Sequence, residues 1–209
     1  MITPSMEQAL LSGIKALALD LDEAKLGKLQ DYLALLIKWN KAYNLTAVRD
    51  SEEMVSRHLL DSLSVIPHIK REPIIDVGSG PGLPGIPLAI CFPDLAVTTL
   101  DSNGKKTRFQ NQAKLELGLD NLTVVKSRVE LYTEVSYPQV ISRAFASIED
   151  MIKWTQHLCD KQGTFLAMKG QYPNDELKRL PAEFSVRESH QLHVPGTEGE
   201  RHLLEIERA

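Results

Sequence analysis

Two cysteines in 209 residues, Cys91 and Cys159, are too few for a disulfide framework and lack the close spacing of a metal-thiolate site. No apolar run approaches the roughly 18–20 residues that cross a bilayer. The stretch from Met1 to Gly13 has no basic segment followed by a greasy core, the mark of a secretory leader. These absences lead us to expect a chain working in a reducing cytoplasm, away from membranes. An excess of positive charge is missing as well: 24 Lys and Arg stand against 28 Asp and Glu, for a formal net charge of −4. Promiscuous nucleic-acid binders depend on a strongly basic surface, so that class is excluded, whereas a selective RNA contact is not. Basic residues do gather locally, at Lys105, Lys106 and Arg108, at Lys126 and Arg128, and at Lys178 and Arg179. Each cluster reads equally well as solvated surface.

What is present is an ordinary globular composition, 43% hydrophobic and 25% charged, in a length that suits one α/β domain with an added element. Residues 1–70 read as a helical extension. Leu26, Leu29, Leu33, Leu36 and Ile37 recur at three- and four-residue spacing, one apolar stripe on a helix from about Asp22 to Asn40. A shorter helix is expected from Ser5 to Leu19. Another starts at about Ser51, with Ser51 as N-cap and Met54, Val55, Leu59, Leu60 and Leu63 facing inward. From residue 71 to 209 the pattern changes. Short β-branched runs at Ile74–Val77, Ala96–Leu100, Leu122–Val125, Gln139–Ser142 and Thr164–Met168 alternate with helical stretches at Pro84–Cys91, Lys105–Leu117, Ile148–Leu158 and Asn174–Leu180. That alternation predicts a parallel sheet with helices on both faces. Phe184–His190 and His202–Glu207 have no helix between them, which predicts an antiparallel hairpin at the sheet edge and seven strands in all.

The chemistry concentrates in Ile74-Ile-Asp-Val-Gly-Ser-Gly-Pro-Gly-Leu-Pro-Gly-Ile-Pro87, which runs from strand through turn into helix. Gly78, Gly80 and Gly82 allow positive φ and a close backbone approach to a ligand. Pro84 and Pro87 fall in the first helical turn, where a missing N–H costs little. The helix N-terminus is then expected to offer free N–H groups to an anion: pyrophosphate in a dinucleotide site, the methionine carboxylate in an S-adenosylmethionine site. Gly80, Gly82 and Gly85 also satisfy the G-x-G-x-x-G pattern, so a nicotinamide oxidoreductase has to be weighed. Asp76, two residues before the first glycine, favours the methyl donor, because it can reach an amino group or anchor the loop. So does the antiparallel tail, since a dinucleotide fold would repeat its βαβ half. Asp101 ends the next strand and could accept from ribose hydroxyls in either case.

This loop resembles the cofactor loop of the bacterial ribosomal RNA small subunit methyltransferase G family, also called glucose-inhibited division protein B. The likeness continues in order through Trp39-Asn-Lys-Ala-Tyr-Asn-Leu-Thr46, Arg57-His-Leu-Leu-Asp-Ser62, Ser127-Arg-Val-Glu130, Ser142-Arg-Ala144, Val194-Pro-Gly196 and Gly199-Glu-Arg-His202. It implies a class I, Rossmann-like methyltransferase fold and transfer of methyl from S-adenosylmethionine to N7 of guanine 527 in 16S rRNA. The expected partner is that RNA, in the 30S subunit or an assembly intermediate, with a monomeric enzyme, no DNA and no metal. By position, Gly78 and Leu83 would contact the donor, Val129 and Glu130 would flank its adenine, and Arg143 would face the reaction centre. A non-catalytic assembly factor with a relict donor site is the rival of another class.

Guanine N7 carries an in-plane lone pair and no proton, so its methylation needs positioning and no general base. Enzymes acting on exocyclic amines commonly carry Asn/Asp-Pro-Pro-Tyr/Phe after the fourth strand; here the place reads Ser142-Arg-Ala-Phe145. Phe145 either stacks on an unpaired base or packs behind the sheet end. Arg143, unsuited to a sulfonium, suits a phosphate or carboxylate. Asn44, Arg57, His58, Asp61 and Lys169 are further candidates to cover the donor or touch RNA. His58 equally fits a packing role between helices. His190, His193 and His202 read as strand and loop residues, with no metal set near them in sequence.

Overall fold

The computed structural model describes residues 2–133 and 135–209. Helix α1 (Pro4–Ala16) starts on the Thr3 hydroxyl, which accepts from the Met6 amide, and stops short of Leu19 because Ala18 turns left-handed at φ 54°. Helix α2 (Glu23–Tyr43) is capped by the Asp22 carboxylate and ends on Asn44 at φ 53°. On its stripe Leu29, Leu33 and Leu36 are fully buried, while Leu26 and Ile37 are partly exposed at its margins.

The next helix begins one residue earlier in its capping than expected. Asp50, not Ser51, is the N-cap of α3 (Ser51–Met54), its carboxylate accepting from the Glu52 amide. The helix then widens into a π-helical run, Val55–Leu60, before α4 (Asp61–Leu63). Met54, Val55, Leu59, Leu60 and Leu63 all point into the core, and polar His58 and Asp61 are buried with them. Such π-turns concentrate at functional sites. A single 3-10 turn, Ile66–His68, leads to the sheet.

Seven strands form one sheet: β1 (Ile74–Val77), β2 (Val97–Asp101), β3 (Leu122–Lys126), β4 (Tyr137–Arg143), β5 (Cys159–Lys169), β6 (Phe184–Gln191) and β7 (His202–Arg208). Their order is β3-β2-β1-β4-β5-β7-β6. β1 to β5 are parallel, and β7 lies antiparallel between β5 and β6. The expected hairpin therefore exists, with its second strand inside and the charged β6 at the rim, where side chains such as Arg187 and Glu188 discourage pairing with another chain. β5 begins at Cys159, earlier than the apolar run suggests, because its polar start still pairs with Tyr137 of β4.

Helices α5 (Gly85–Cys91), α6 (Gly104–Leu117), α7 (Ile148–Thr155) and α8 (Asn174–Leu177) connect the strands. The last two are shorter than their apolar patterns predict: α7 passes into a 3-10 turn, Gln156–Leu158. Alternation along β1 splits the core, with Ile74 in one layer and Ile75 and Val77 in the other. The first layer joins α1, α2, α5 and α6, so the extension shares its core with the sheet. Both cysteines are buried within the two layers and unpaired.

One contact from the extension bears directly on the glycine turn. The buried Tyr32 hydroxyl, on α2, donates to the Pro81 carbonyl at 2.9 Å. Tyr32→Phe removes that donor and leaves the carbonyl buried without it, an expected loss of about 1–2 kcal/mol, read by urea unfolding.

Candidate active site

The sheet order reverses between β1 and β4, and ligands of such sheets bind beyond the carboxyl ends of the strands at this point. There the chain makes two sharp departures. After β1, Gly78, Gly80 and Gly82 adopt φ of 68°, 59° and 92°. After β4, Ala144 is held at φ 50°, a costly value for a residue with a Cβ. A side chain at Gly78 would collide with the Phe145 ring, so this glycine is required by close packing as well as by φ.

The loop amides are satisfied internally, contrary to the expectation of free N–H groups. Those of Gly78 and Ser79 donate to the Leu100 carbonyl at 2.9 and 3.2 Å, and those of Gly82 and Leu83 to the Ser79 carbonyl at 2.8 and 2.9 Å. Gly80 N–H goes to Asp101 Oδ2 at 2.8 Å, Gly85 N–H to Asp76 Oδ2 at 2.7 Å, and Ile86 N–H to the Gly82 carbonyl at 2.7 Å. The first turn of α5 is thus closed by its own loop. From behind, the Gln110 amide of α6 donates to Ser79 Oγ at 2.8 Å and to the Gly80 carbonyl at 2.7 Å.

Two cavities open on either side of this turn and meet at Gly78, Lys106 and Ala144. The first, about 690 Å³, is walled by Asp101, Val129, Glu130, Phe145 and Trp154. Phe145 and Trp154 stand edge to face, centroids 5.8 Å apart. The second, about 620 Å³, is lined by Gly80, Leu83, His58, Asp61 and Arg143, with Thr46, Arg57, Lys169 and Arg201 around them. Gly78, Gly80, Leu83, Asp101, Val129, Glu130 and Arg143 are therefore brought to cavity walls. Asp76 and Gly82 are not; they shape the loop from beneath. Asn44 is also outside both, bonded to the Arg49 guanidinium.

Asp76 is fully buried, and only one of its oxygens has a partner; Oδ1 accepts nothing. Burial pushes its carboxyl up to about 7, against the Gly85 N–H and the Arg143 charge, which pull it down. Asp101 is better served, its other oxygen accepting from Asn103 N–H at 2.8 Å.

In the second cavity the acid and base groups are already engaged. Asp61 binds the Arg143 guanidinium through Oδ2 at 2.8 Å and approaches Arg201 Nε through Oδ1 at 3.4 Å. Arg143 also donates to the Arg57 carbonyl at 3.0 Å. His58 Nδ1 faces that carbonyl at 3.1 Å and so donates, which leaves Nε2 to accept from the Thr46 hydroxyl at 2.9 Å. Burial, helped by Arg143, lowers the His58 pKa to about 4, so the ring is neutral. His58 thus packs between Arg57 and Thr46 and at the same time lines the second cavity. Lys169 pairs with Glu176 at 2.8 Å and donates to the Ala146 carbonyl at 2.9 Å, fastening α8 beside the β4 turn.

A family model described as rRNA small subunit methyltransferase G matches residues 25–204. Relatives named ribosomal RNA small subunit methyltransferase G include one from Pseudomonas syringae pv. syringae strain B728a, 58% identical over 209 residues, with 100% of this chain and 98% of that one covered. Another, from Pseudomonas paraeruginosa strain PA7, is 56% identical, with 99% and 98% covered. The chain belongs to this family. Among solved structures, the glycopeptide N-methyltransferase MtfA with S-adenosylmethionine aligns at TM-score 0.61 and 10% identity, covering 73% of this chain and 95% of that one. Coclaurine N-methyltransferase aligns at 0.57 and 13%, covering 90% and 73%. These likenesses identify the class I, Rossmann-like methyltransferase fold.

For this family member, sequence reasoning missed Tyr32, Gln110 and Trp154, which touch the loop or its cavity from distant elements. Arg201 lay in a motif already noted, without a role; its pairing with Asp61 supplies one.

The buried Asp76 gives a pH signature. Its pKa is about 7 folded and near 3.8 unfolded, so its stabilising contribution is complete below pH 3.8 and is lost as pH rises through 7. Urea unfolding of wild type and Asp76→Asn from pH 5 to 8 is expected to show wild type losing ground steadily up to about pH 7, then a constant difference. A difference independent of pH would mean that Asp76 is ionised throughout.

Proposed function

We propose that this chain transfers a methyl group from S-adenosylmethionine to N7 of guanine 527 in 16S rRNA, acting as a monomer in the cytoplasm. The observation that carries the reading is the pair of cavities joined at Gly78 and Ala144, one built for a nucleoside and the other rimmed with cations. Family membership supports it over the full length of the chain. A nicotinamide reading loses its ground with the family assignment and with the antiparallel β7.

In the first cavity Asp101 accepts from the ribose hydroxyls, and Val129 and Glu130 flank the adenine, with Phe145 and Trp154 as its outer wall. Asp76, buried beneath the turn and off both cavity walls, acts on the donor by anchoring the loop through the Gly85 N–H. The donor's methionine carboxylate cannot draw on the closed loop amides, and Lys106, on both cavity walls, takes it instead. Bound donor supplies an electrophilic methyl at the junction of the cavities.

The acceptor cavity supports a nitrogen target that needs no deprotonation. Among its described lining residues the only carboxylate, Asp61, is held by Arg143 and Arg201, and the only imidazole, His58, has both nitrogens bonded. Neither is free to act as a base, which suits the N7 lone pair and disfavours a hydroxyl or amine. Catalysis then rests on in-line placement and exclusion of water. Arg57, Arg143, Lys169 and Arg201 form the cationic rim that meets the RNA backbone, in the 30S subunit or an assembly intermediate.

The test is transfer of radiolabelled methyl to 16S rRNA, naked and in 30S subunits, followed by borohydride–aniline cleavage at N7-methylguanine. One new cleavage, at guanine 527 and lost in Asp101→Ala, is the expected result. Label elsewhere would remove the proposed target. Donor binding without transfer would favour a non-catalytic assembly factor. Arg143→Ala is expected to lower kcat/KM on the order of 10²-fold with the circular dichroism spectrum unchanged; near-normal turnover would deny it a positioning role.

A further inference from the structure

Off the walls of both cavities, the 3-10 turn Ile66–His68 meets the β6–β7 hairpin. His68 lies against His190 of β6 with ring centroids 3.8 Å apart and planes inclined by 27°. Glu205, buried on β7, accepts at 2.9 Å from His190 Nε2, and Glu188 Oε2 stands 3.4 Å from the same nitrogen. One ligand atom from each of His68, His190 and Glu205 lies within 4.8 Å of the others. None of these residues lines either cavity of the candidate active site.

The unexplained member is His68. Among the described residues its ring makes no hydrogen bond and no ion pair, although it is half-buried against another imidazole and two carboxylates. The in-plane lone pairs of stacked rings run side by side, so a shared ion requires the unbonded His68 ring to turn out of the stack toward Glu205. Zinc with Zn–N of ~2.0–2.1 Å in tetrahedral geometry spaces its ligands by about 3.4 Å, inside the 4.8 Å that already encloses one ligand atom of each residue.

We propose that His68, His190 and Glu205 form a divalent-cation site, suited to Zn²⁺, that fastens the end of the helical extension to the C-terminal hairpin. Two imidazoles and a carboxylate match a borderline-soft ion and suit Mg²⁺ or Ca²⁺ poorly. Glu188, exposed beside the set, takes the fourth position or yields it to water. Closure needs His68 to leave the stack and turn toward the carboxylate, and its ring has no hydrogen bond to hold it back. The metal plays no part in methyl transfer. It ties an edge hairpin, otherwise held mainly through β7, to a turn more than a hundred residues earlier in the chain.

The experiment titrates the EDTA-treated full-length chain with Zn²⁺ by calorimetry, and with Co²⁺ by visible absorption. Expected are one equivalent of Zn²⁺ bound at micromolar Kd or tighter, a tetrahedral Co²⁺ band between 500 and 650 nm, and a Tm raised by several degrees. His68→Gln is expected to weaken Zn²⁺ at least tenfold and abolish the Tm rise, while melting like wild type in EDTA, because His68 carries no hydrogen bond to lose. Glu205→Gln should also lose the ion, but it disturbs His190, so His68→Gln decides. Zn²⁺ binding unchanged in His68→Gln, or no stoichiometric binding in wild type, would overturn the proposal and leave a plain imidazole stack with an ion pair.

Discussion

Two carboxylates at the carboxyl ends of neighbouring parallel strands hold the glycine turn, and the cavities depend on that hold. Asp76 takes the Gly85 amide and Asp101 takes the Gly80 amide, so the loop is pinned at both sides of Gly82. These two bonds fix where β1 hands over to α5. Gly85 sits tight on Asp76 and Thr99, and any side chain there would push the helix off the sheet. With the amides spent on shaping the turn, recognition passes to side chains around it. Asp101 and Lys106 lie on cavity walls, while one oxygen of Asp76 stays open below.

The open oxygen has a cost. A buried carboxyl with half its capacity unused is destabilising when ionised, which is why its pKa rises to about 7. A neutral side chain there would relieve that cost but weaken the hold on the Gly85 amide. The extension contributes in a similar spirit. Tyr32 grips the loop at Pro81, and Asp61 gathers Arg143 from β4 and Arg201 from the β6–β7 connection into one cluster. Elements at the two ends of the chain thus meet over the mouth of the sheet. Asp61→Asn should therefore loosen both arginines at once.

Much of this was legible in the sequence because it is local. The strand–Gly-x-Gly–helix passage, the two acids and the alternation of strands and helices are written in short windows where period and φ requirement decide the outcome. The helical stripe of α2 behaved as its spacing demands. Less legible were features set by competition between neighbours. Asp50 displaced Ser51 as cap because its carboxylate reached the Glu52 amide first. The π-helical run Val55–Leu60 inserts without any proline or glycine to announce it. Free N–H groups at α5 were expected from helix physics, yet the loop folds back to consume them. Tyr32, Gln110 and the His68–His190–Glu205 set are long-range, joining residues whose separation carries no periodic trace.

A chain of net charge −4 that is to hold an anionic polymer has to localise its cations. This one does so with few residues, and it neutralises part of them. Arg143 and Lys169 are each paired, with Asp61 and Glu176, so their charge is oriented rather than free. Paired arginines still present spare N–H donors of fixed direction, which suits recognition of one phosphate geometry better than attraction at a distance. The expected consequence is weak non-specific affinity, since long-range pull scales with unpaired charge, together with strict dependence on RNA shape at the rim. Of the groups on that rim, Arg57 is the most loosely held, by an exposed pair with Glu53 one helical turn away. Its removal should act on RNA affinity and its salt dependence, leaving donor binding in the other cavity untouched. Substitution of Arg143 should instead lower turnover, because Arg143 directly precedes Ala144, where the cavities meet.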